Sequence, residues 1–261
     1  MEKKYGVSLK WLSVTSFELR FNGLSVVTDP YITECAGTDL NWEAVENCDI
    51  ICLSHPHWDH ISDIPRLMEK FHPILLCGEL AAGPMARWLN WNPTEIYPMN
   101  PDVELDFDSV KIRALFARHT RRKNGYRDIC DQIAARESSI ACPALGELQS
   151  LGSLEYRNYL FTLPNGTKLL IWGSDPTVEQ INLCKALKPD IAIVQRSVGR
   201  EANAKKAAFA AAIGCKVLIP HHQDVYGADD PQILQNFGED FLSLVPDGTF
   251  IIPEHGKWME L

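Results

Sequence analysis

Alternating apolar and polar positions mark two similar hairpins along this chain. Residues 15–21 and 24–28 are β-prone runs around Asn22-Gly23, and residues 159–163 and 168–172 are the same around Asn165-Gly166. Asn-Gly between such runs predicts a tight hairpin, because both residues tolerate the left-handed backbone of that turn. Each hairpin leads into alternating helices and strands. After the first come a strand over 49–54, a helix over 61–71, a strand over 74–77, a helix over 79–91 and a hairpin near Asp108. Ile61, Ile64, Leu67, Met68 and Phe71 recur at helical spacing in the first of these helices. After the second come helices over 177–188, 201–213 and 231–243, with strands over 191–195, 216–220 and 249–252 between and after them. Pro189 and Gly214 stand where the first two of these helices should stop.

The pattern predicts an α/β fold made of two organisationally similar halves, about 1–119 and 158–261, within a single domain spanning 1–261. Residues 120–157 belong to neither half. So long a segment between strands predicts a helical insertion rather than bare loop. It should overhang whatever lies at its start as a lid, or supply a contact to a second copy of the chain. The spacing of Leu145, Leu148, Leu151 and Leu154 would serve partner packing, or packing into the chain's own core.

Composition narrows the class. With 261 residues, 46% of them hydrophobic, the chain can bury a sizeable core. No apolar run reaches membrane-spanning length and the start has no signal-like segment, so a cytoplasmic protein without membrane contact is expected. The eight cysteines form no Cys-x-x-Cys pair and several sit within apolar runs, which predicts reduced, mostly buried thiols. A net charge of −9 argues against a general nucleic-acid binder.

The chemistry concentrates in Ser54-His55-Pro56-His57-Trp58-Asp59-His60, which sets three imidazoles and a carboxylate within six residues directly after an apolar strand. Neutral imidazole and carboxylate suit zinc and similar divalent ions. Pro56 disfavours helix at His55, so His55 and His57 should project the same way from extended chain, while Asp59 and His60 open a helix. Neighbouring residues pointing apart can serve different ions, and the segment reads as half of a two-metal site.

This motif resembles the signature of the metallo-β-lactamase superfamily. Residues 11–31, with Asp29-Pro30-Tyr31, look like the amino-terminal hairpin of the branch containing ascorbate-6-phosphate lactonase. The resemblance implies a four-layer αββα sandwich of two mixed β-sheets with two divalent ions, Zn2+ or Mn2+ with Fe as a third choice. Carried over position by position, His55, His57 and His119 would hold one ion and Asp59, His60 and His222 the other. Asp175 would bridge them, and Asp29 would support the loops rather than bind metal. Two positions depart from the pattern: Ser174 separates Gly173 from Asp175, and His221 stands beside His222. His222 is favoured as the ligand, with His221 behind it. His255 is read as a surface or supporting residue, and His72 as a helix-end residue.

The implied reaction is hydrolysis by a metal-bridging hydroxide of a small lactone or ester, phosphorylated or not, with Asp59 or Asp175 moving the proton. Arg121, Arg122 and Arg127, near His119, would hold an anionic substrate if they face the cleft. The alternatives are a metal-dependent phosphodiesterase or nuclease, and a metal-stabilised binding scaffold without turnover.

Overall fold

A computed structural model describes residues 5–119, 127–197, 199–224 and 231–261, with side chains 127–130 not among the described parts. The first half contributes β1 (Ser8–Ser13), β2 (Ser16–Phe21), β3 (Leu24–Thr28), β4 (Ile50–Cys52), α1 (Trp58–Ile61), α2 (Ile64–Phe71), β5 (Ile74–Cys77), α3 (Glu79–Leu89) and β6 (Ile96–Pro98). Strands β7 (Glu104–Asp106) and β8 (Lys111–Phe116) then lead to the insertion helices α4 (Arg127–Ala141) and α5 (Pro143–Leu151). The second half follows as β9 (Arg157–Thr162), β10 (Lys168–Trp172), α6 (Val178–Leu187), β11 (Ile191–Gln195), α7 (Arg200–Ala212) and β12 (Val217–His221). Helix α8 (Pro231–Leu244), β13 (Thr249–Phe250) and β14 (Trp258–Glu260) complete it.

The strands form two seven-stranded sheets, ordered β14-β1-β2-β3-β4-β5-β6 and β13-β12-β11-β10-β9-β8-β7. Both are mixed. Pairing is antiparallel around β1, β2 and β3 and parallel from β3 to β6. In the other sheet it is antiparallel from β7 to β10 and parallel from β10 to β13. One core lies between the sheets, where Phe17, Phe21, Ile50, Phe161, Ile171 and Ile219 meet. A second joins the outer face of the first sheet to Leu67, Met68, Met85 and Leu148, and a third joins the other outer face to Phe209, Phe237 and Phe241. Helix–sheet–sheet–helix layering is thus the expected αββα sandwich, with inward and outward positions alternating along each strand.

Several boundaries differ from the pattern reading. The helix expected over 61–71 is broken, because Asp63 leaves the helix to receive the Ile32 and Thr33 amides at 2.6 and 2.8 Å, and Pro65 then opens α2. Strand β14 pairs antiparallel with β1, a closure that a three-residue strand near the chain's end does not announce. The expected insertion is helical, and Leu145 and Leu148 pack into the core beside α2 and α3 while Leu154 is exposed. The seven described cysteines are free. Among the described residues no helix is long and apolar enough to cross a membrane.

A buried ion pair staples the first sheet. Lys10 and Glu18 side chains are 3% and 0% exposed and meet at 2.9 Å. Lys10 also donates to the Ala44 carbonyl, and Glu18 accepts from the Glu46 amide. Breaking such a pair strands a charge out of water, so Glu18→Ala is expected to cost about 3–5 kcal/mol of stability in a denaturant titration. A cost below about 1 kcal/mol, the range of surface pairs, would show that Glu46 alone satisfies Lys10.

Candidate metal centre

The site sits where strands from both sheets end. His55 follows β4, His119 follows β8, Ser174 and Asp175 follow β10, and His221 and His222 lie at the end of β12. Carboxyl ends of parallel strands open onto a crevice that the sheet cannot fill, and ligands collect there.

His55, His57 and His119 converge, each offering a nitrogen within 4.8 Å of the others. Burial and the surrounding His60, His57, His119 and His222 hold His55 well below the ordinary histidine range, so it is neutral. Its tautomer follows from its neighbours. The Ser54 hydroxyl donates to Asp29 at 2.7 Å, so at 2.9 Å from His55 Nδ1 it can only accept. That leaves His55 Nε2 without a proton. On the other side, His57 Nε2 donates to Asp131 Oδ1 at 3.1 Å, which in the neutral imidazole leaves Nδ1 bare. The two bare nitrogens face each other at 2.9 Å. Two lone pairs so placed repel unless a proton or a metal ion lies between them, and with His119 converging on the same point the donor set fits a divalent ion.

The remaining positions form a second group. His60 Nδ1 lies 3.0 Å from Asp29 Oδ2, a charge-pair distance without hydrogen-bond alignment, and its Nε2 lies 3.8 Å from Asp59. The His60 and His222 rings stack at 6.0 Å. Burial pushes the Asp59 carboxyl up, but His60, His222 and His57 outweigh it and keep the group ionised. Asp29 also accepts the Ser54 amide at 2.6 Å, so it holds the motif loop from behind. His221 is buried and turned away, with Nε2 facing the Trp172 carbonyl at 3.1 Å. Asp175 does not join either group. Its side chain is 62% exposed and pairs with Lys206 at 3.7 Å. Arg121 and Arg122 lie outside the described residues, and of Arg127 only the backbone, at the start of α4, is described. His72 caps α2 in the left-handed conformation, as a helix-end residue.

Residues that pattern reading missed hold the candidate ligands in place. Asp131 on α4 fixes His57, and Gln149 on α5 receives the Trp58 amide at 3.1 Å and donates to the Pro56 carbonyl at 2.9 Å. Gly152 must be glycine, since a Cβ there would overlap the His57 ring. The insertion therefore clasps the motif loop. His222 is set by the β1–β2 turn: its amide donates to the Val14 carbonyl at 2.9 Å, and Asp224 accepts the Val14 amide at 2.9 Å. His255 in turn meets Asp224 at 2.8 Å and stacks on Trp11, which puts it behind His222. An isolated Asp in a polar helix or loop carries no sequence signal for such a role.

We expect His222→Ala to weaken metal binding at the second group, while His221→Ala, which removes only a packing and hydrogen-bonding group, causes a partial defect. Supporting residues typically contribute about 10–100-fold in affinity. Chelator competition on both variants measures the ranking, and its reversal would move the ligand to His221.

A sandwich of two mixed sheets with a histidine pocket at its strand ends defines a class of metal-site proteins. The family profile described as "Beta-lactamase superfamily domain" matches residues 8–130. The chain is 26% identical over 245 residues to "UPF0173 metal-dependent hydrolase" of Geobacillus sp. (strain WCH70), covering 94% of this chain and 95% of that one. Among solved structures it is similar to Igni18, "a novel metallo hydrolase" from Ignicoccus hospitalis, with a TM-score of 0.70, 14% identity and 97% of each chain covered. It is also similar to CmlA, a diiron β-hydroxylase from Streptomyces venezuelae, with a TM-score of 0.66, 12% identity, and coverage of 98% of this chain and 54% of that one. Residues 8–130 thus match a β-lactamase superfamily domain, and the fold of the chain is that of these metallo-hydrolase structures.

Proposed function

We propose that the chain is a metal-dependent hydrolase acting on a small lactone or ester. The observation that carries this reading is the pair of bare imidazole nitrogens of His55 and His57, held towards each other by Ser54 and Asp131, with His119 beside them. A divalent ion bound there, Zn2+ or Mn2+ with Fe as a third choice, would supply Lewis-acid activation of water and of the substrate carbonyl. The protein's own part is positioning and proton transfer. Asp59 is 38% exposed at the rim, ionised, and close to His60. It can take a proton from the attacking water and return it to the leaving alcohol. Asp175, the other carboxylate expected to do so, faces Lys206 instead. A full-length relative named as a metal-dependent hydrolase supports the reaction class.

The basic stretch after His119 supports an anionic substrate group. A guanidinium holds phosphate or carboxylate through two parallel bonds. Arg121→Ala or Arg122→Ala is expected to raise KM about 10–100-fold for a phosphorylated substrate, and far less for its neutral counterpart. Equal effects on both would assign these arginines to holding the insertion.

A panel of neutral and phosphorylated lactones and esters, with bis-p-nitrophenyl phosphate, tests the function in Zn2+ and in Mn2+. Turnover of a lactone or ester is expected. Turnover of the phosphodiester alone would make the chain a phosphodiesterase or nuclease, against its net charge of −9. A metal-loaded protein without turnover of any class would be a binding scaffold.

A further inference from the structure

We propose that the chain binds its metal ions unequally: tightly at His55, His57 and His119, and weakly at Asp59, His60 and His222, because among the described residues no carboxylate bridges the two groups. This rests on the metal reading of the pocket and concerns which of its parts can hold an ion.

Three observations carry it. Ser174 stands between Gly173 and Asp175 at the end of β10. Neighbouring side chains at a strand end leave on opposite sides. Accordingly Ser174 is buried and its hydroxyl has no hydrogen-bond partner among the described residues, while Asp175 is exposed. Second, Asp175 has a competing partner. Lys206, on α7, is 3% exposed and directs its ammonium to the Asp175 carboxylate. A buried cation with its counter-ion removed is costly, so drawing Asp175 towards the histidines would leave Lys206 uncompensated. Third, Asp175 lines a groove between α6 and α7, together with Pro176, Lys205 and Lys206, and none of the seven candidate ligands other than Asp175 lines it.

The donors that remain differ in kind. The first group has three imidazoles, with the orientation of His55 and His57 fixed by Ser54 and Asp131. The second has two imidazoles and the half-exposed Asp59; Asp175 faces Lys206, and its neighbour Ser174 offers only a neutral hydroxyl. A hydroxyl is a poor ligand for zinc compared with an anionic oxygen.

Titration of metal-stripped protein with Zn2+ and with Mn2+, followed by calorimetry and a competing chelator dye, tests this without reference to activity. Two classes of site are expected, separated by at least about the 10–100-fold that one supporting group contributes. Asp175→Asn should leave both constants within about twofold of wild type, a change under half a kcal/mol. Ser174→Asp, which restores a carboxylate next to Gly173, should tighten the weak class. Because Ser174→Asp buries a new charge and Asp175→Asn strips Lys206 of its counter-ion, circular dichroism checks the fold of both, and the exposed Asp175→Asn, which keeps an amide oxygen for Lys206, carries the test if Ser174→Asp does not fold. Two ions of equal affinity, or a tenfold or greater loss in Asp175→Asn, would overturn the proposal while leaving the hydrolase reading intact. Absence of any tight ion would instead remove the metal reading of the pocket itself.

Discussion

His57→Ala is expected to cost both metal and hydrolysis. His57 offers one of the two bare nitrogens that meet at 2.9 Å, so its removal dismantles the pocket rather than adjusting it. Loss of a direct ligand should exceed the roughly 10–100-fold in affinity that a supporting residue contributes. Elemental analysis of gently purified protein and chelator competition measure occupancy, and the turnover assay follows it. His72→Ala is the control: that imidazole stacks on Trp91 at the end of α2 and should leave metal content unchanged. Full occupancy and full activity in His57→Ala would sink the ligand assignment.

The second large effect should come from a residue that binds no metal. Asp131→Ala removes the acceptor of His57 Nε2–H and of the Ser153 amide, which it meets at 3.1 Å each. Without it the imidazole is free to change tautomer and rotate, so its lone pair no longer points at His55. Metal affinity should fall about 10–100-fold. Asp131→Asn keeps an acceptor oxygen and should recover part of the loss, which mere unfolding of α4 would not allow. Wild-type affinity in Asp131→Ala would show that His57 is oriented by packing against Gly152 alone.

What was readable in the chain and what was not divides along physical lines. The two Asn-Gly hairpins and the helix–strand alternation were legible because turn chemistry and periodicity are local properties. The structure places Asn22-Gly23 in a β2–β3 turn and Asn165-Gly166 between β9 and β10. His55, His57 and His60 stood out because six adjacent residues carry them. His119 could be found only through resemblance, as one histidine at the end of one strand.

The supporting groups were not legible. Asp131, Gln149 and Gly152 lie more than seventy residues from the motif they clasp, and Asp224 is 210 residues from the Val14 amide it accepts. Each is an ordinary residue whose role comes from what the fold brings opposite it. Asp175 shows the limit most clearly: its type and its place after β10 suit a bridging ligand, but its side chain is exposed and turned to Lys206.

The sequence by itself determined the α/β class, the hairpins and the principal candidate metal-binding motif, because periodicity, turn propensity and ligand type act between near neighbours. Tertiary structure alone decided which nitrogens of His55 and His57 face each other, that the insertion serves as a brace for the His57 loop, and where Asp175 points. Those properties depend on hydrogen-bond partners, a buried counter-ion and the direction of a side chain at a strand end, and all three are set by chain segments that meet only once the two sheets have packed.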